Sequence, residues 1–179
     1  MSKTAILIGY GGMGKRYFQA LKKLKFKVIA ICDKKIDMLS NELPNNILLV
    51  KNFHKLLNFD ADLLCVASNT KSRLDVVGQF CKNGKIKRII TEKPLSTSYK
   101  NCLKIQNIAK KNKIKLLINT HRSYSPNFLF LKKIFDKYQE KPTKIFINSP
   151  SAGLGNMGST FFDLGLFFLM KNLKKFSVL

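Results

Sequence analysis

Residues 4–33 read TAILIGYGGMGKRYFQALKKLKFKVIAICD, and the order of parts in that stretch decides the fold. Thr4–Gly9 is a short apolar run of strand type. Gly9, Gly11 and Gly14 turn the chain, and Lys15–Leu24 then carries Tyr17, Phe18, Leu21 and Leu24 at helical spacing. A second apolar run, Phe26–Cys32, ends in Asp33. Strand, glycine turn, helix and a strand tipped by a carboxylate make the dinucleotide-binding arrangement, with the context that a bare G-x-G-x-x-G lacks. Gly9 permits the tight turn, Gly11 lets the backbone approach a pyrophosphate, and Gly14 lets the helix lie close to the strand. Free N–H groups at the helix start, around Gly12 and Met13, attract the phosphate charge. Asp33, 19 residues past Gly14, is placed to accept hydrogen bonds from the adenosine ribose. The competing reading is a glycine turn that joins strand to helix without a ligand.

Composition narrows the class. A chain of 179 residues buries a real core and fits one complete domain with part of another. Its apolar share and mixed charge are those of a soluble globular protein. The apolar start at Ala5–Gly9 is broken at once by glycines, so no secretory leader is expected and the cytoplasm is the expected setting. No run approaches the roughly 18 apolar residues of a membrane span; Phe161–Met170 is ten long and contains Asp163. Cys32, Cys65, Cys81 and Cys102 form no C-x-x-C pair, so neither a metal site nor a redox motif is indicated, and all four are expected as small core hydrophobes.

The formal net charge of +23 points first to a polyanion. The basic residues are 29 Lys and only 4 Arg, spread widely along the chain amid abundant Ile, Asn and Phe, a usage that an A+T-biased genome produces without a partner. Arg, the residue suited to bidentate contacts with bases and phosphates, is scarce. Steering of anionic substrates and nucleotide is expected; specific nucleic-acid binding is not.

After Asp33, Lys34 and Lys35 stand where an adenosine 2′-phosphate would sit, which keeps NADP open beside the NAD that Asp33 favours. The pattern predicts a short helix at Ile36–Glu42, a third strand at Ile47–Val50, a helical turn at Phe53–Leu57 that puts His54 on its surface, and a fourth strand at Ala61–Ala67 buried on both faces. Ser68-Asn69-Thr70 is a loop at that strand's carboxyl end, before a helix to about Asn83 closed by Gly84. Lys87–Thr91 is a fifth strand, delivering Glu92-Lys93-Pro94. Ser96 or Thr97 caps a helix to about Asn112, and Ile114–Asn119 is a sixth strand. Strands alternating with helices predict right-handed crossovers and a doubly wound parallel sheet. Ligands in such sheets sit beyond the strands' carboxyl ends, so the loops bearing Gly11, Asn69, Lys93 and His121 are expected to converge. Beyond Pro126 the pattern predicts an amphipathic helix at Phe128–Tyr138, a strand at Lys144–Asn148, and a glycine-rich approach at Gly153–Ser159 to an apolar helix at Thr160–Met170.

GYGGMG, Asp33, ASNT at Ala67–Thr70, TEKPLS at Thr91–Ser96, NTHRSYSP at Asn119–Pro126 and GNMGSTFFDLG at Gly155–Gly165 occur in the order that resembles the Gfo/Idh/MocA oxidoreductases. The resemblance covers nearly the whole chain. It implies an NAD(P)-dependent enzyme acting on a sugar, inositol or nucleotide sugar, with surface-polysaccharide synthesis as one setting. It also implies a Rossmann domain, here residues 1–120, followed by the beginning of a truncated α/β second domain, residues 121–179, of the kind that covers substrate and makes oligomer contacts. With the strands of that domain missing, Phe161, Phe162, Phe167 and Phe168 are expected to lack an intrachain partner and to drive self-association or binding of a partner chain. Two departures are chemical. The family commonly ends its catalytic signature in Asp-x-x-x-His, whereas here Asp163 is followed by Phe167. Its loop after the fourth strand tends to read T-P-N-x-x-H, whereas here Ser68, Asn69 and Thr70 lead to Arg73.

Hydride transfer from an alcohol needs a group that takes the hydroxyl proton, or gives it in reverse. Lys93 resembles the family lysine that touches the reacting hydroxyl. Asp163, in an apolar helix, needs a partner, with Lys93 the natural candidate and the backbone N–H groups of a helix start the alternative. Glu92 either orients Lys93, binds the nicotinamide ribose, or is a strand-end charge. Ser68 and Asn69 border the cofactor crevice. His121 is a candidate replacement for the missing acid/base, with a structural role as the alternative; Arg122 suits a substrate phosphate or carboxylate, and Tyr124 is a hydrogen-bond donor or a packing residue. A non-catalytic nucleotide-binding remnant or regulatory subunit competes with the enzyme, as does a lysine-rich polyanion binder.

Overall fold

The computed structural model describes residues 2–38, 43–83, 85–140, 142–147 and 154–169. The chain divides into two compact units, Met1–Asn119 and Thr120–Leu179. In the first unit the strands are Thr4–Ile8 (β1), Lys27–Cys32 (β2), Leu48–Val50 (β3), Leu63–Val66 (β4), Arg88–Glu92 (β5) and Lys115–Asn119 (β6). Helices Gly12–Lys23 (α1), Thr70–Asn83 (α2) and Tyr99–Lys111 (α3) connect them. All pairings are parallel and the spatial order is β3-β2-β1-β4-β5-β6, a doubly wound sheet whose winding reverses between β1 and β4.

The two central strands are apolar at every position but Thr4, because helices cover both faces. Ile6 and Ile8 of β1 join Leu64, Val66 and Ile89 against Val76, Val77 and Phe80 of α2 and Ile105 of α3. The alternate residues Ala5 and Leu7, with Ile31 and Cys65, pack against Tyr17, Phe18 and Leu21 of α1. The period of two in the strands thus sorts side chains into two cores. Cys32, Cys65 and Cys81 are buried, Cys102 half-buried, and all are free thiols. Burial pushes the first three up to about 11, 12 and 11, so they pack as neutral hydrophobes.

Register sets where the loops emerge. Ile8 lies opposite both Cys32 and Val66, Cys32 opposite Val50, and Val66 opposite Thr91. The strands therefore end level, and the segments after β1, β2, β4 and β5 leave the sheet along one carboxyl edge.

Some local expectations change. Residues 36–38 form a 3₁₀ turn, while 39–42 and Gly84 lie outside the described residues. His54 is exposed on a 3₁₀ turn, as expected of a surface residue. The N-cap of α3 is Ser98 rather than Ser96 or Thr97; the Ser96 hydroxyl instead accepts the Ser98 amide at 3.2 Å, because a serine two residues upstream can close its own small turn.

The second unit holds a 3₁₀ turn at His121–Tyr124 and helices Pro126–Tyr138 (α4) and Leu154–Leu169 (α5). Pro126 sits at the start of α4, where its missing N–H costs nothing. Residues 144–147 form no strand, with Asn148 outside the described residues. Residues 154–159 are the first turns of α5 rather than an approach to it; Gly153 and Met170 lie outside the described residues. Glycine costs about 1 kcal/mol in a helix, and the stripe Met157, Phe161, Leu164 and Phe168 is spaced to overcome that by packing. Phe168 meets Phe128 and Phe135 edge-on at 5.8 Å each, so the expectation that it lacks an intrachain partner is overturned by α4. Among the described residues no helix is long and apolar enough to cross a membrane.

The tightest approach in the first unit is at Gly14, where a Cβ would overlap the Gly9 carbonyl oxygen. Gly14→Ala should lose about 1–3 kcal/mol of stability in urea titration; an unchanged midpoint would show that α1 has room to move away.

Candidate functional site

The carboxyl edge of the sheet begins with Gly9, whose φ of +90° only glycine adopts without strain. Its N–H donates to the Cys32 carbonyl at 2.7 Å, which pins the turn to β2. A Cβ at Gly9 would stand 2.8 Å from the Ala67 backbone, so the turn also lies against the end of β4. Gly11 is the N-cap of α1 and contributes no side-chain cap, and no acid occupies the first turn. A Cβ on Gly11 or Gly12 would meet nothing within 4 Å. The N–H groups of Gly12, Met13 and Gly14 belong to that uncapped first turn, whose donors have no intrahelical acceptor. An open cradle of backbone donors with no competing carboxylate is what a diphosphate requires, so these residues fit the group that the sequence implies.

Asp33 stands beside this cradle. Its Oδ2 accepts the Tyr10 amide at 2.7 Å, inside the glycine turn, and its Oδ1 accepts the Lys35 amide at 2.8 Å. The carboxylate is thereby fixed between the turn after β1 and the turn after β2, with lone pairs remaining for hydroxyl donors. Lys34 and Lys35 are exposed.

In the loop after β4, Asn69 Oδ1 accepts the Ser72 amide at 3.1 Å and Ser68 Oγ accepts the Ser72 hydroxyl at 3.0 Å. Both residues are thus held by the start of α2. At the end of β5, Glu92 is 7% exposed, which removes the strand-end-charge reading. Its Oε1 accepts the Tyr17 hydroxyl at 2.8 Å and the Asn119 amide at 2.7 Å. Burial, followed by the nearby Glu92, pushes the Tyr17 hydroxyl far above its usual range. Lys93 is half-buried and begins the turn, through a cis peptide bond to Pro94.

Arg73 is also buried, donating from Nε and Nη2 to the Ser68 carbonyl and from Nη1 to the Pro94 carbonyl. Tyr17, Asn119 and Arg73 were not singled out for this edge from sequence. Tyr17 reads as one more apolar helix position and Asn119 as a strand end. The signal for Arg73 was its place where the resembled pattern has histidine.

The first unit therefore brings together Gly9, Gly11, Gly12, Met13, Gly14, Asp33, Ser68, Asn69, Glu92 and Lys93. His121, Arg122, Tyr124 and Asp163 belong to the second unit. There His121 and Tyr124 are exposed, and the Arg122 guanidinium lies 5.6 Å above the Phe161 ring. Asp163 is in the middle of α5, which removes the helix-start reading, and it accepts the hydroxyl of Ser123, a partner the sequence did not suggest. Phe167, one turn on, packs against Phe168 at 5.1 Å and beneath the Lys132 ammonium, 5.2 Å from its ring centre. A groove of about 500 Å³ runs among Arg122, Phe128, Phe135, Phe146, Phe161 and Phe168. Among the described residues no group of three His, Cys, Asp or Glu could hold a metal ion.

The model of the Gfo/Idh/MocA oxidoreductase family, NAD-binding Rossmann fold, matches residues 3–120. Solved structures share the fold. The WlbA dehydrogenase of Bordetella pertussis in complex with NADH and UDP-GlcNAcA aligns with 94% of this chain and 59% of its own, at 15% identity and a TM-score of 0.77. An oxidoreductase of Agrobacterium radiobacter in complex with NAD+, L-tartaric acid and magnesium aligns over 94% and 55%, at 16% identity and 0.81. The apo scyllo-inositol dehydrogenase of Lactobacillus casei aligns over 78% and 43%, at 16% identity and 0.69. The chain thus spans about half the length of these structures. No curated protein matches it.

Tyr17→Phe should cost about 1–3 kcal/mol near pH 7 by removing a donor to a buried carboxylate. Because the folded state holds the Tyr17 proton above the unfolded value near 10, the stability it contributes is full below that pH and falls as pH rises beyond it. The gap between wild type and variant in urea titrations should therefore narrow above about pH 10; a gap independent of pH would contradict this.

Proposed function

This chain belongs to the Gfo/Idh/MocA family of NAD-binding oxidoreductases, and we propose that it binds a nicotinamide dinucleotide along the carboxyl edge of its sheet and transfers hydride to or from a sugar, inositol or nucleotide-sugar. The observation that carries this reading is the uncapped, sterically open start of α1 beside a fixed Asp33. Gly9, Gly11, Gly12, Met13 and Gly14 would hold the diphosphate and Asp33 the adenosine ribose. Ser68, Asn69, Glu92 and Lys93 would hold the nicotinamide half. The bound nicotinamide supplies the two-electron acceptor or donor. Lys93 takes or returns the hydroxyl proton, and Asp163 and His121 are the further candidates for proton handling. Arg122 and Tyr124 would hold the substrate. The sugar class is supported by the UDP-GlcNAcA in complex with the B. pertussis protein and by the inositol in the L. casei protein's name. NAD is favoured over NADP, because the Asp33 carboxylate is locked where a 2′-phosphate would bring like charge.

A second reading rests on Phe167. The position one turn after Asp163 holds an aromatic ring covered by Lys132, which can move no proton, and this favours a nucleotide-binding member without turnover. Self-association or a partner chain is proposed from the exposed Phe130, Phe146 and Leu166 of the second unit; sedimentation as a monomer at micromolar concentration would remove it.

Thermal-shift titration should show NADH stabilising the wild type more than NADPH does. Gly11→Val should leave the apo protein folded with at most a small drop in melting temperature, since a Cβ there meets nothing within 4 Å and valine is only a poorer helix N-cap, yet abolish the shift. Retained binding would sink the cofactor assignment. Turnover on a nucleotide-sugar and inositol panel supports the enzyme; NADH binding without turnover, unrestored by Phe167→His, supports the second reading.

A further inference from the structure

Arg73, in the first turn of α2, is 5% exposed. A guanidinium taken out of water is costly unless its donors are satisfied, so the groups around it specify where it stands. Nε and Nη2 converge on the Ser68 carbonyl at 3.2 and 2.9 Å, while Nη1 reaches the Pro94 carbonyl. Ser68 follows β4 and Pro94 follows β5, strands that are neighbours in the sheet with Val66 opposite Thr91. One planar fork therefore spans two loops that are distant in sequence. Burial pulls the guanidinium below its usual range, and the nearby Glu92 opposes that pull. Glu92 is itself held by Tyr17 of α1 and Asn119 of β6. Elements α1, α2, β5 and β6 thus meet around one pair of buried charges directly before Lys93.

We infer that Arg73 is a positioning residue that sets the spacing between the Ser68-Asn69 loop and the Lys93-Pro94 turn, and with it the half of the site that receives nicotinamide. The inference rests on the dinucleotide reading of this edge. The adenosine half, although its glycine turn lies against the end of β4, has hydrogen bonds of its own: Gly9 is pinned to Cys32, and Asp33 to the Tyr10 and Lys35 amides, none of them bonds of Arg73. Substitution at position 73 therefore acts on one half of the ligand. Lysine cannot substitute, because an ammonium is a point donor that lacks the fork needed to reach both carbonyls.

The test measures NADH and ADP-ribose as separate ligands, by calorimetry, on the wild type, Arg73→Lys and Arg73→Ala, with apo melting temperatures alongside. The wild type should bind both. Arg73→Lys, which keeps the charge beside Glu92, should bind ADP-ribose within about twofold of the wild type and NADH about tenfold more weakly, the scale of a lost charged hydrogen bond. Arg73→Ala should show the same split at a lower melting temperature. Equal weakening of both ligands, unchanged affinity for both, or unfolding of both variants makes Arg73 a general stabiliser or a bystander and overturns the inference. Failure of the wild type to bind either ligand overturns the dinucleotide reading itself, and is told apart because it appears before any substitution.

Discussion

A helix can begin directly against the end of a strand only where neither backbone carries a side chain at the contact. Gly14 meets the Gly9 carbonyl on those terms, and Gly9 bends back at a φ that L side chains avoid. That single close approach brings the N-terminus of α1 to the carboxyl edge of β1, between β2 and β4. It aims uncapped N–H groups at the place where the sheet's winding reverses. The open space around Gly11 and the position of Asp33 follow from it, since Asp33 is held by the amide of Tyr10 inside the same turn.

The second feature of the edge is electrostatic. Glu92 and Arg73 are both buried, an expensive arrangement unless each is satisfied on several sides. Tyr17 and Asn119 serve Glu92, and the Ser68 and Pro94 carbonyls serve Arg73. These donors and acceptors come from elements far apart in sequence, so the network ties the strand ends together just where Lys93 emerges. A core that needed only cohesion would use apolar side chains here. Polar groups at this depth are consistent with a site that must hold a fixed geometry.

The six strands of the first unit and their parallel, doubly wound arrangement were legible because each is a short apolar run bounded by turn residues, and because parallel crossovers leave few topologies. The glycine turn and the place of Asp33 after β2 were also legible, since both depend on local backbone geometry. What sequence missed depends on partners far along the chain. Tyr17 looks like one more apolar helix residue until Glu92, 75 positions away, is seen beside its hydroxyl. Ser123 gives no sign of meeting Asp163. In the second unit, glycines at 155 and 158 suggested a loop, yet residues 154–159 are helical, as packing prevails over propensity. Phe168 looked partnerless because its partners Phe128 and Phe135 lie in α4, more than thirty residues away in sequence.

A co-crystal with saturating NADH bears most directly on the account. Its diphosphate oxygens should lie within hydrogen-bond distance of the Gly12 and Met13 amides, over the bare Cα of Gly11, with a carboxylate oxygen of Asp33 on the adenosine ribose. Density for the dinucleotide elsewhere on the protein, or an empty cradle at saturating ligand, would contradict it.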